Sequence, residues 1–503
     1  MDSSLPFSSP IFLSFLFQVF FLLLLALSHA TKYNGVCNSD WPLTPRPHSV
    51  SVSEFGAVGD GKTLNTLAFQ NAIFYLKSFA DKGGAQLYVP AGKWLIGTIN
   101  LTSHLTLFLE KDAIILGSQT ESEVDAWAHP TFPFAVLLLS VLPKMATGTA
   151  PEAPLTVTLE RKGDGPTSLC HCFPPPRPYH YCHRCHFNIS SNFTCDNATI
   201  DGQGSVWWDK FSSHSLNYSR PHVVEFIDSN NIVISNLTFL NPPAWNIHPA
   251  YCSKVLIQNI TVHAPSDSPY TSGIVPDSSE HLCIENSNIS LGYDSVVLKS
   301  GWDEYGIAYG KPTTNVHIRG LHLQSYSGSA MAFGSEMSGG ISSILVENLH
   351  VLDSLIGIEL KTVRGRGGYI KGIYVLDVFM ETVQQGIKVT GQWGSHPDDK
   401  FDPSELPVVG EITFTNITGI NITTAGYFSG IEESPFTSIC LSNISFSVTS
   451  DPSTSWVCSD VSGSSKNVSP EPCPEFQSSV STSSSHCSFL SYPNRLNSQV
   501  AYS

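Results

Sequence analysis

The chain has 503 residues, of which 41% are hydrophobic and 14% are charged, with 37 glycines and 33 prolines. This composition is typical of a folded protein with many turns and excludes a disordered chain. The formal net charge of −16 argues against nucleic acid as a partner, because an acidic surface repels a polyanion.

Residues 1–30 form a predicted targeting segment. The apolar run "IFLSFLFQVFFLLLLAL" is followed by "SHA", in which the small residues Ser28 and Ala30 precede a plausible cleavage site. The segment carries Asp2 and no lysine or arginine, so an uncleaved signal anchor in the membrane is the alternative interpretation. Both interpretations send the rest of the chain into the secretory route, and a secreted protein is expected.

Twelve cysteines and twelve N-x-S/T sequons, from Asn100 to Asn467, fit the same compartment. Cysteines in an oxidising compartment form disulfides, although their pairing cannot be deduced from one sequence. Many sequons recur as "NLT" or "NIT" inside strand-like runs, so a structural asparagine is the alternative to a glycan at each of them. We expect fewer than half of the sequons to be glycosylated.

A short motif recurs from about residue 223 onward, with an alternating β-branched run, a polar turn residue and another short run. The turn residues are spaced by 23 to 39 residues, at Asn236, Asn259, Asn286, Gly320, Asn348, Asp377 and Asn416. No helix fits between such strands, and the "NG" and "DG" signals of antiparallel hairpins are scarce. The pattern predicts an all-β fold, a single right-handed parallel β-helix, with left-handed or bridge backbone conformations at its Asn and Gly corners.

The β-helix domain is predicted over residues 45–450. Near its start, "FGAVGDGKTLNTLAFQNAI" predicts a turn-rich loop and a short amphipathic helix, over about residues 64–80, that caps the first coil. Residues 451–503 are rich in Ser, Pro and Cys, which predicts a loop-like tail held by disulfides.

Residues 135–195 interrupt the repeat with a run crowded in Cys, His and Pro, "CHCFPPPRPYHYCHRCH". Its spacing suggests metal ligation or haem attachment through Cys170, Cys172, Cys182, Cys185 and His186. The secretory route oxidises such thiols, so no metal or cofactor is expected. The remaining alternatives are a disulfide-tied loop and translated non-coding sequence from a wrong gene model. The second is favoured, because the rhythm resumes at "NATIDGQGSVWWDKF".

An ordered set of motifs carries a family resemblance: "FGAVGDGKT", "IDGQGSVWWDKF", "PPAWNIHPAYC", "KSGWDEYGIAYG", "GSEMSGG", "KTVRGRGGYI" and "SPFTSICLSNI". Together they resemble the polygalacturonase family, glycoside hydrolase family 28, in its plant exo-like branch. The resemblance implies a pectin lyase-like β-helix that hydrolyses α-1,4-linked galacturonic acid in pectin with inversion. It also implies a monomer of the extracellular space or cell wall, with pectin or polygalacturonate as its partner.

The family's chemistry needs three aspartates, one as the acid and two that hold and deprotonate water, with about 6.5–9.5 Å between acid and base. The resemblance puts Ser272 at one of these positions and Tyr293 at the general acid, so Asp294 is the surviving catalytic residue. Glu359 replaces the family's arginine, whereas Lys361 is kept. Tyrosine titrates near pH 10 and is a poor substitute for a carboxylic acid, so a weak or inactive site is predicted.

Cations in the same loops are predicted to bind the substrate's carboxylates: Lys361, Arg366, Arg364 and Lys299. Solvated turn charges are the alternative for these residues. In the same region Tyr270 replaces a family asparagine. We expect Ser272, Tyr293 and Asp294 to face one groove, with Glu359, Lys361 and Arg366 on its rim.

Two classes of function stay open at this point. One is an active inverting glycosidase, rewired through a replacement acid among Asp267, Asp277, Asp303 and Glu304, although turn or loop roles are favoured for these residues. The other is a non-catalytic protein that binds pectin or oligogalacturonides, or the product of a wrong gene model.

Overall fold

The structure is a computed structural model that describes Cys37 and residues 46–120, 139–141, 155–158, 198–216 and 219–476. The predicted targeting segment, residues 1–30, lies outside these ranges. Within them, 28 strands join in one parallel sheet that winds into a β-helix. No helix in the same ranges is long and apolar enough to cross a membrane.

The strands follow one another closely along the chain, with a few helices between them. Strands β1 to β9 are His48–Ser51, Asp60–Leu64, Ala85–Val89, Gly92–Ile96, Ile99–Asn100, Leu105–Leu109, Ala113–Gly117, Leu139–Val141 and Leu155–Thr158. Strands β10 to β20 are Ala198–Asp201, Val224–Ile227, Asn230–Ser235, Leu237–Leu240, Trp245–Ala250, Ser253–Gln258, Thr261–His263, Ser272–Ile274, Glu280–Glu285, Asn288–Leu291 and Val296–Leu298. Strands β21 to β28 are Thr313–Ser325, Ser329–Gly334, Ile341–Lys361, Tyr369–Thr390, Val408–Ser429, Phe436–Val448, Trp456–Ser459 and Val461–Ser469. The α-helices α1 to α3 are Thr66–Leu76, Ser205–Ser212 and Asp303–Tyr309, and the short 3-10 helices are Val52–Phe55, Lys77–Phe79, Pro452–Thr454 and Pro474–Phe476.

The strands stack in three parallel ladders. Ladder 1 begins with β1, β3, β6, β9, β12, β15 and β18. Ladder 2 begins with β2, β4, β7, β10, β13, β16 and β19. Ladder 3 begins with β5, β8, β11, β14, β17, β20 and β22. The longer strands that follow take part in more than one ladder, because β23 pairs with both β21 and β22.

The core lies inside the coils and is built from rows of apolar side chains in register. Along ladder 3, Ile247, Ile274, Val296, Met331 and Ile358 occupy successive rungs, and all five are fully buried. Burying one such side chain stabilises the fold by about 1.5–3 kcal/mol. A single coil cannot bury its row alone, so each coil depends on its neighbours.

The corners of the coils use left-handed backbone, one of the two conformations that the repeat predicted. All seven predicted turn residues have positive φ, from 51° at Asn286 to 65° at Gly320. Asparagine and aspartate tolerate this conformation better than other side chains. In the last coils the corner residues also stack, since Asn416 Nδ2 donates to Asp377 Oδ1 at 3.0 Å and Asn443 Nδ2 to Asn416 Oδ1 at 3.2 Å. Asn467 Nδ2 continues the stack to Asn443 Oδ1 at 3.0 Å.

Helix α1 lies over the first coils, where the sequence predicts a capping helix. It contacts β1, β3 and β5. Its buried residues Phe69, Ala72, Ile73 and Leu76 belong to the same apolar cluster as the interior of the coils. The helix thus removes the first apolar rows from solvent.

The segment 135–195 differs from its prediction, because two pieces of it join the coils. Strand β8 pairs with β5 and β11, and strand β9 pairs with β6 and β12. Without these seven residues, ladders 1 and 3 would each lose a rung and leave backbone groups unpaired. The Cys- and His-rich run of this segment lies outside the described residues.

The C-terminal boundary also differs from the prediction, because the coils continue beyond residue 450. Strand β27 pairs with β25 and strand β28 with β26, so the β-helix extends to Ser469. The serines of this stretch are tolerated at the end of the solenoid, where Val461 and Phe476 bury the last apolar row. Residues 477–503 lie outside the described residues.

One disulfide joins Cys37 to β18 in the middle of ladder 1, and another joins β27 to the segment after β28, in agreement with the expected oxidising compartment. Cys37 is bonded to Cys283 across 246 residues, and Cys458 is bonded to Cys473. Cys252 is a buried free thiol.

Candidate active site

The predicted site residues lie around the outward side of ladder 3. Glu359 and Lys361 lie at the end of β23 and alternate with the buried core residues Ile358 and Leu360, so their side chains point away from the interior. Ser272 begins β17, and Asp294 lies just before β20. Adjacent rungs of one ladder therefore bring together residues that are far apart in sequence.

Asp294 and Lys361 form a buried ion pair. Lys361 Nζ donates to Asp294 Oδ2 at 2.8 Å, and the two side chains are 3% and 4% exposed. The backbone N–H of Ser329 donates to the other carboxylate oxygen of Asp294 at 2.9 Å. Burial alone would lower the pKa of Lys361, but Asp294 and Glu359 raise it above its ordinary value, so the ammonium is retained.

Glu359 lies between two lysines. Its Oε2 atom is 3.4 Å from Lys361 Nζ, its Oε1 atom is 2.9 Å from Lys388 Nζ, and it accepts a hydrogen bond from Ser329 Oγ. Burial raises the pKa of Glu359, but Lys361 and Lys388 lower it by more, so the net shift is downward. The negative charge at this position is therefore compensated inside the protein.

Lys388 is a residue that the sequence analysis missed. It occupies the same rung as Glu359 on the next strand of ladder 3. The coil repeat could have revealed Lys388, because residues in register on successive coils are neighbours in space. Trp393 was missed as well, and its ring is 4.9 Å from Lys361 Nζ and 4.7 Å from Lys388 Nζ.

Tyr293 stands half-buried beside the ion pair. Its ring is 5.5 Å from Lys361 Nζ and 5.0 Å from the ring of Tyr270. Burial, with a further contribution from the charge of Asp294, raises the pKa of Tyr293 above its ordinary value. The phenol is thus a weaker proton donor here than in water. Tyr270 is 56% exposed and contacts Phe211, with 5.8 Å between ring centroids.

Ser272 is buried opposite Trp245, its rung partner on β14. Its carbonyl oxygen accepts a hydrogen bond from Asn246 Nδ2 at 3.2 Å. The resemblance predicts that its hydroxyl stands where the family has a carboxylate, and a hydroxyl cannot deprotonate water unaided.

Arg366 is buried in the protein instead of lying on a groove rim. Its guanidinium donates to Asp303 Oδ1 at 2.6 Å and to the carbonyl oxygens of Ser335 and Ser395, each at 2.9 Å. His396 Nδ1 is 2.7 Å from the second oxygen of Asp303. Arg366 and Asp303 thus anchor the neighbouring loops, so in this arrangement Arg366 is engaged by the protein and Asp303 is unavailable as a replacement acid.

The other two predicted cations also have acidic partners. Lys299 forms an ion pair with Glu336 and lies 5.5 Å from the ring of Trp245. Arg364 pairs with Glu433 near the surface. Among the four predicted binding cations, Lys361 is the one that the described structure brings into contact with Asp294.

The remaining candidate acids, Asp267, Glu304 and Asp277, differ in their exposure to solvent. Asp267 and Glu304 are exposed. Asp277 Oδ1 accepts hydrogen bonds from Ser278 Oγ at 2.8 Å and from the backbone N–H of Gly301 at 3.1 Å. Burial raises the pKa of Asp277. Its hydrogen bonds give it the structural role that the sequence favoured.

Three groups of potential metal ligands occur in the described part of the chain, each with ligand atoms within 4.8 Å of one another. Two of them contain disulfide cysteines, which offer no thiolate. The third consists of His222, Glu225 and His248, in which His248 Nδ1 is 2.7 Å from Glu225 Oε1. Burial, with contributions from neighbouring charges that include Arg220, lowers the pKa of His222 to about 3. A neutral imidazole can bind a metal, but the nearby guanidinium disfavours a second cation, and we assign no metal.

Comparison with known families identifies the group to which this arrangement belongs. A family model described as "Glycosyl hydrolases family 28" matches residues 185–470, more than half of the chain. The chain belongs to glycosyl hydrolase family 28. A second model, described as "Rhamnogalacturonase A/epimerase, pectate lyase-like", matches residues 49–108.

Relatives of this family 28 protein support the same assignment. A "Probable polygalacturonase" of Vitis vinifera is 42% identical over 445 residues, which are 88% of this chain and 84% of the relative. A solved exopolygalacturonase from Thermotoga maritima matches with a TM-score of 0.67 at 22% identity, over 86% of this chain and 94% of that chain. A family 28 exopolygalacturonase from Yersinia enterocolitica matches with a TM-score of 0.63 at 18% identity, over 84% and 79% of the two chains. The right-handed parallel β-helix is thereby confirmed, and the chain is a polygalacturonase-like member of family 28.

Proposed function

We propose that this protein is a secreted, polygalacturonase-like protein of the cell wall that binds the galacturonan of pectin and hydrolyses it weakly or not at all. One observation supports the proposal. The carboxylate of Asp294 is held by Lys361 Nζ at 2.8 Å. The family resemblance assigns Ser272 and Tyr293 to the two other carboxylate positions.

Inverting hydrolysis needs an acid for the leaving oxygen and a base for water on the opposite face of the sugar. The raised pKa of Tyr293 makes it a poor acid, and Ser272 cannot supply the base. Loss of one such group costs about 10²–10⁴-fold in rate, and a second loss adds less than proportionally.

Two features support the proposed location. The apolar segment over residues 1–30 has the pattern of a secretory signal. The disulfides Cys37–Cys283 and Cys458–Cys473 fit an oxidising compartment. A polygalacturonase-like protein exported in this way would meet pectin outside the cell.

The release of reducing ends from polygalacturonate tests the catalytic part. The unmodified chain should give a rate close to that of buffer, with no difference from its Asp294→Asn variant. The double variant Ser272→Asp/Tyr293→Asp rebuilds the three aspartates of the family pattern and should gain measurable activity. That gain should disappear when Asp294→Asn is added.

Robust turnover by the unmodified chain, abolished by Asp294→Asn, would overturn the proposed loss of catalysis. It would show that another acid has taken over the role of the family's missing group. Circular dichroism of each variant should match that of the unmodified chain, so that a lack of activity is not a lack of folding.

A further inference from the structure

We propose that the face around Tyr270 and Tyr293 binds galacturonan whose carboxyl groups are methyl-esterified in preference to the free polyanion. The proposal rests on the proposed function for the class of polysaccharide and adds the chemical form that the site selects. Two independent observations carry it, the charge balance of the site and the chemistry of its surface.

The ionic groups at the site cancel one another. Lys361 contacts both Asp294 and Glu359, and Lys388 contacts Glu359. These two lysines and two carboxylates form a network without net charge, and Asp294, Glu359 and Lys361 are buried. A free sugar carboxylate placed here would lose hydration without gaining an uncompensated cation.

Two of the neighbouring cations, Lys299 and Arg366, are also paired with carboxylates. Lys299, which directly follows β20, is paired with Glu336. Arg366 is paired with Asp303. A methyl ester carries no charge, so it avoids the desolvation cost that a free carboxylate would incur at such a site.

The exposed surface beside this neutral network is aromatic. Tyr270 is 56% exposed, and its ring contacts Phe211 on one side and Tyr293 on the other. The half-buried ring of Trp393 lies beside Lys361 and Lys388. Aromatic rings pack against the apolar C–H faces of sugars and against ester methyl groups.

The departures from the family pattern point in the same direction. The family resemblance predicts that Tyr270 stands in place of an asparagine, Tyr293 in place of an acid and Glu359 in place of an arginine. The first two changes add apolar ring surface, and the third removes the free cation that a carboxylate would need. Together they convert an anion-binding surface into one suited to an uncharged sugar chain.

The test compares two galacturonan oligomers of equal length, one fully methyl-esterified and one with free carboxylates, by calorimetric titration of the full-length protein. The esterified oligomer should bind at least about tenfold more tightly, with little dependence on salt. Tyr270→Ala, an exposed substitution, should weaken this binding about tenfold.

Glu359→Gln supplies the decisive variant, because it leaves one lysine charge uncompensated. Its affinity for the free oligomer should rise about five- to tenfold at low salt, while its affinity for the esterified oligomer stays the same. Glu411→Gln makes the same charge change at an exposed residue of β25 and is the matched control, for which no change is expected.

Equal or tighter binding of the free oligomer by the unmodified chain overturns the inference, as does an unchanged preference in Glu359→Gln. Binding of neither oligomer overturns it together with the binding part of the proposed function. Turnover of free polygalacturonate overturns only the proposed loss of catalysis, and the binding preference is then measured on the Asp294→Asn/Lys361→Met variant, which lacks Asp294 but keeps the network without net charge.

Discussion

At the scale of single residues, the ion pair between Asp294 and Lys361 determines the character of the site. Both side chains have lost nearly all contact with water. Removing charges from water is costly, and a buried pair offsets this cost only while both partners are present. Lys361 also contacts Glu359, so its loss would leave Asp294 unpaired and Glu359 with Lys388 alone.

Lys361→Met should therefore destabilise the protein by about 3–5 kcal/mol, as expected when one partner of a buried ion pair is removed. The double variant Asp294→Asn/Lys361→Met should recover most of this loss, since it leaves no unpaired charge on Asp294. Urea unfolding measures the free energies, and Lys371→Met, at an exposed lysine, is the control. An unchanged urea midpoint for Lys361→Met would contradict the assignment of the pair.

The sequence predicted part of this site and missed the rest for a physical reason. Motifs placed Asp294 beside Lys361, and the structure brings the two together. The sequence analysis of Glu359 left out Lys388, which reaches Glu359 through the register of two strands. Motifs encode neighbours along the chain, whereas charge compensation depends on neighbours across coils.

At the scale of elements, helix α1 is the clearest case of an amphipathic segment used as a cover. Phe69 is fully buried against the coil interior, 6.5 Å from the ring of Trp94. Phe74, on the same helix, is 79% exposed. The two phenylalanines thus provide a matched pair in which only the first contributes to the core.

Phe69→Ala should lower the free energy of unfolding by about 3–5 kcal/mol, because it leaves a cavity between the helix and the first coils. Phe74→Ala should have no comparable effect, since its side chain is mostly in water. Thermal unfolding measures the stability of both variants. In Phe69→Ala, the lower stability should also appear as faster hydrogen exchange over β1 to β5. Equal effects of the two substitutions would mean that the helix does not cover the coils as described.

An element can be predicted from the sequence to the extent that its own residues determine its structure. The corner residues from Asn236 to Asn416 were predicted because their periodic spacing is visible in the chain. Strands β8 and β27 were not, since their segments lack the rhythm of the other coils and pair in register with neighbouring strands. Such a segment becomes a strand because it pairs with the free backbone groups of neighbouring strands. Those strands are distant in sequence, so the local sequence does not reveal the pairing.

At the scale of the whole molecule, the β-helix is a linear stack in which each coil is stabilised by its neighbours. The C-terminal end is closed by β27 and β28 together with Phe476, which is fully buried. The ring of Phe428 lies 5.9 Å from that of Trp456 and 5.1 Å from that of Phe476. The final coil therefore covers an apolar surface that would otherwise form an open end.

A chain that ends at residue 450 should aggregate, because it exposes the edges of β25 and β26 and the apolar row beneath them. A chain that ends at residue 476 keeps every described coil and should stay soluble. Size-exclusion chromatography with light scattering distinguishes the two. A monodisperse, folded protein from the shorter chain would show that the last coil is dispensable.

The stacked corner asparagines can take part either in closing the coils or in accepting a glycan. Asn416, Asn443 and Asn467 each begin a sequon, and the side-chain nitrogen that would accept a glycan donates to the preceding coil. An oligosaccharide on that nitrogen removes one of its hydrogens and adds bulk at the contact between coils. We therefore expect folding and glycosylation to compete for each of these side chains, so that glycan occupancy in the mature protein records which coils closed before the modifying enzyme reached them.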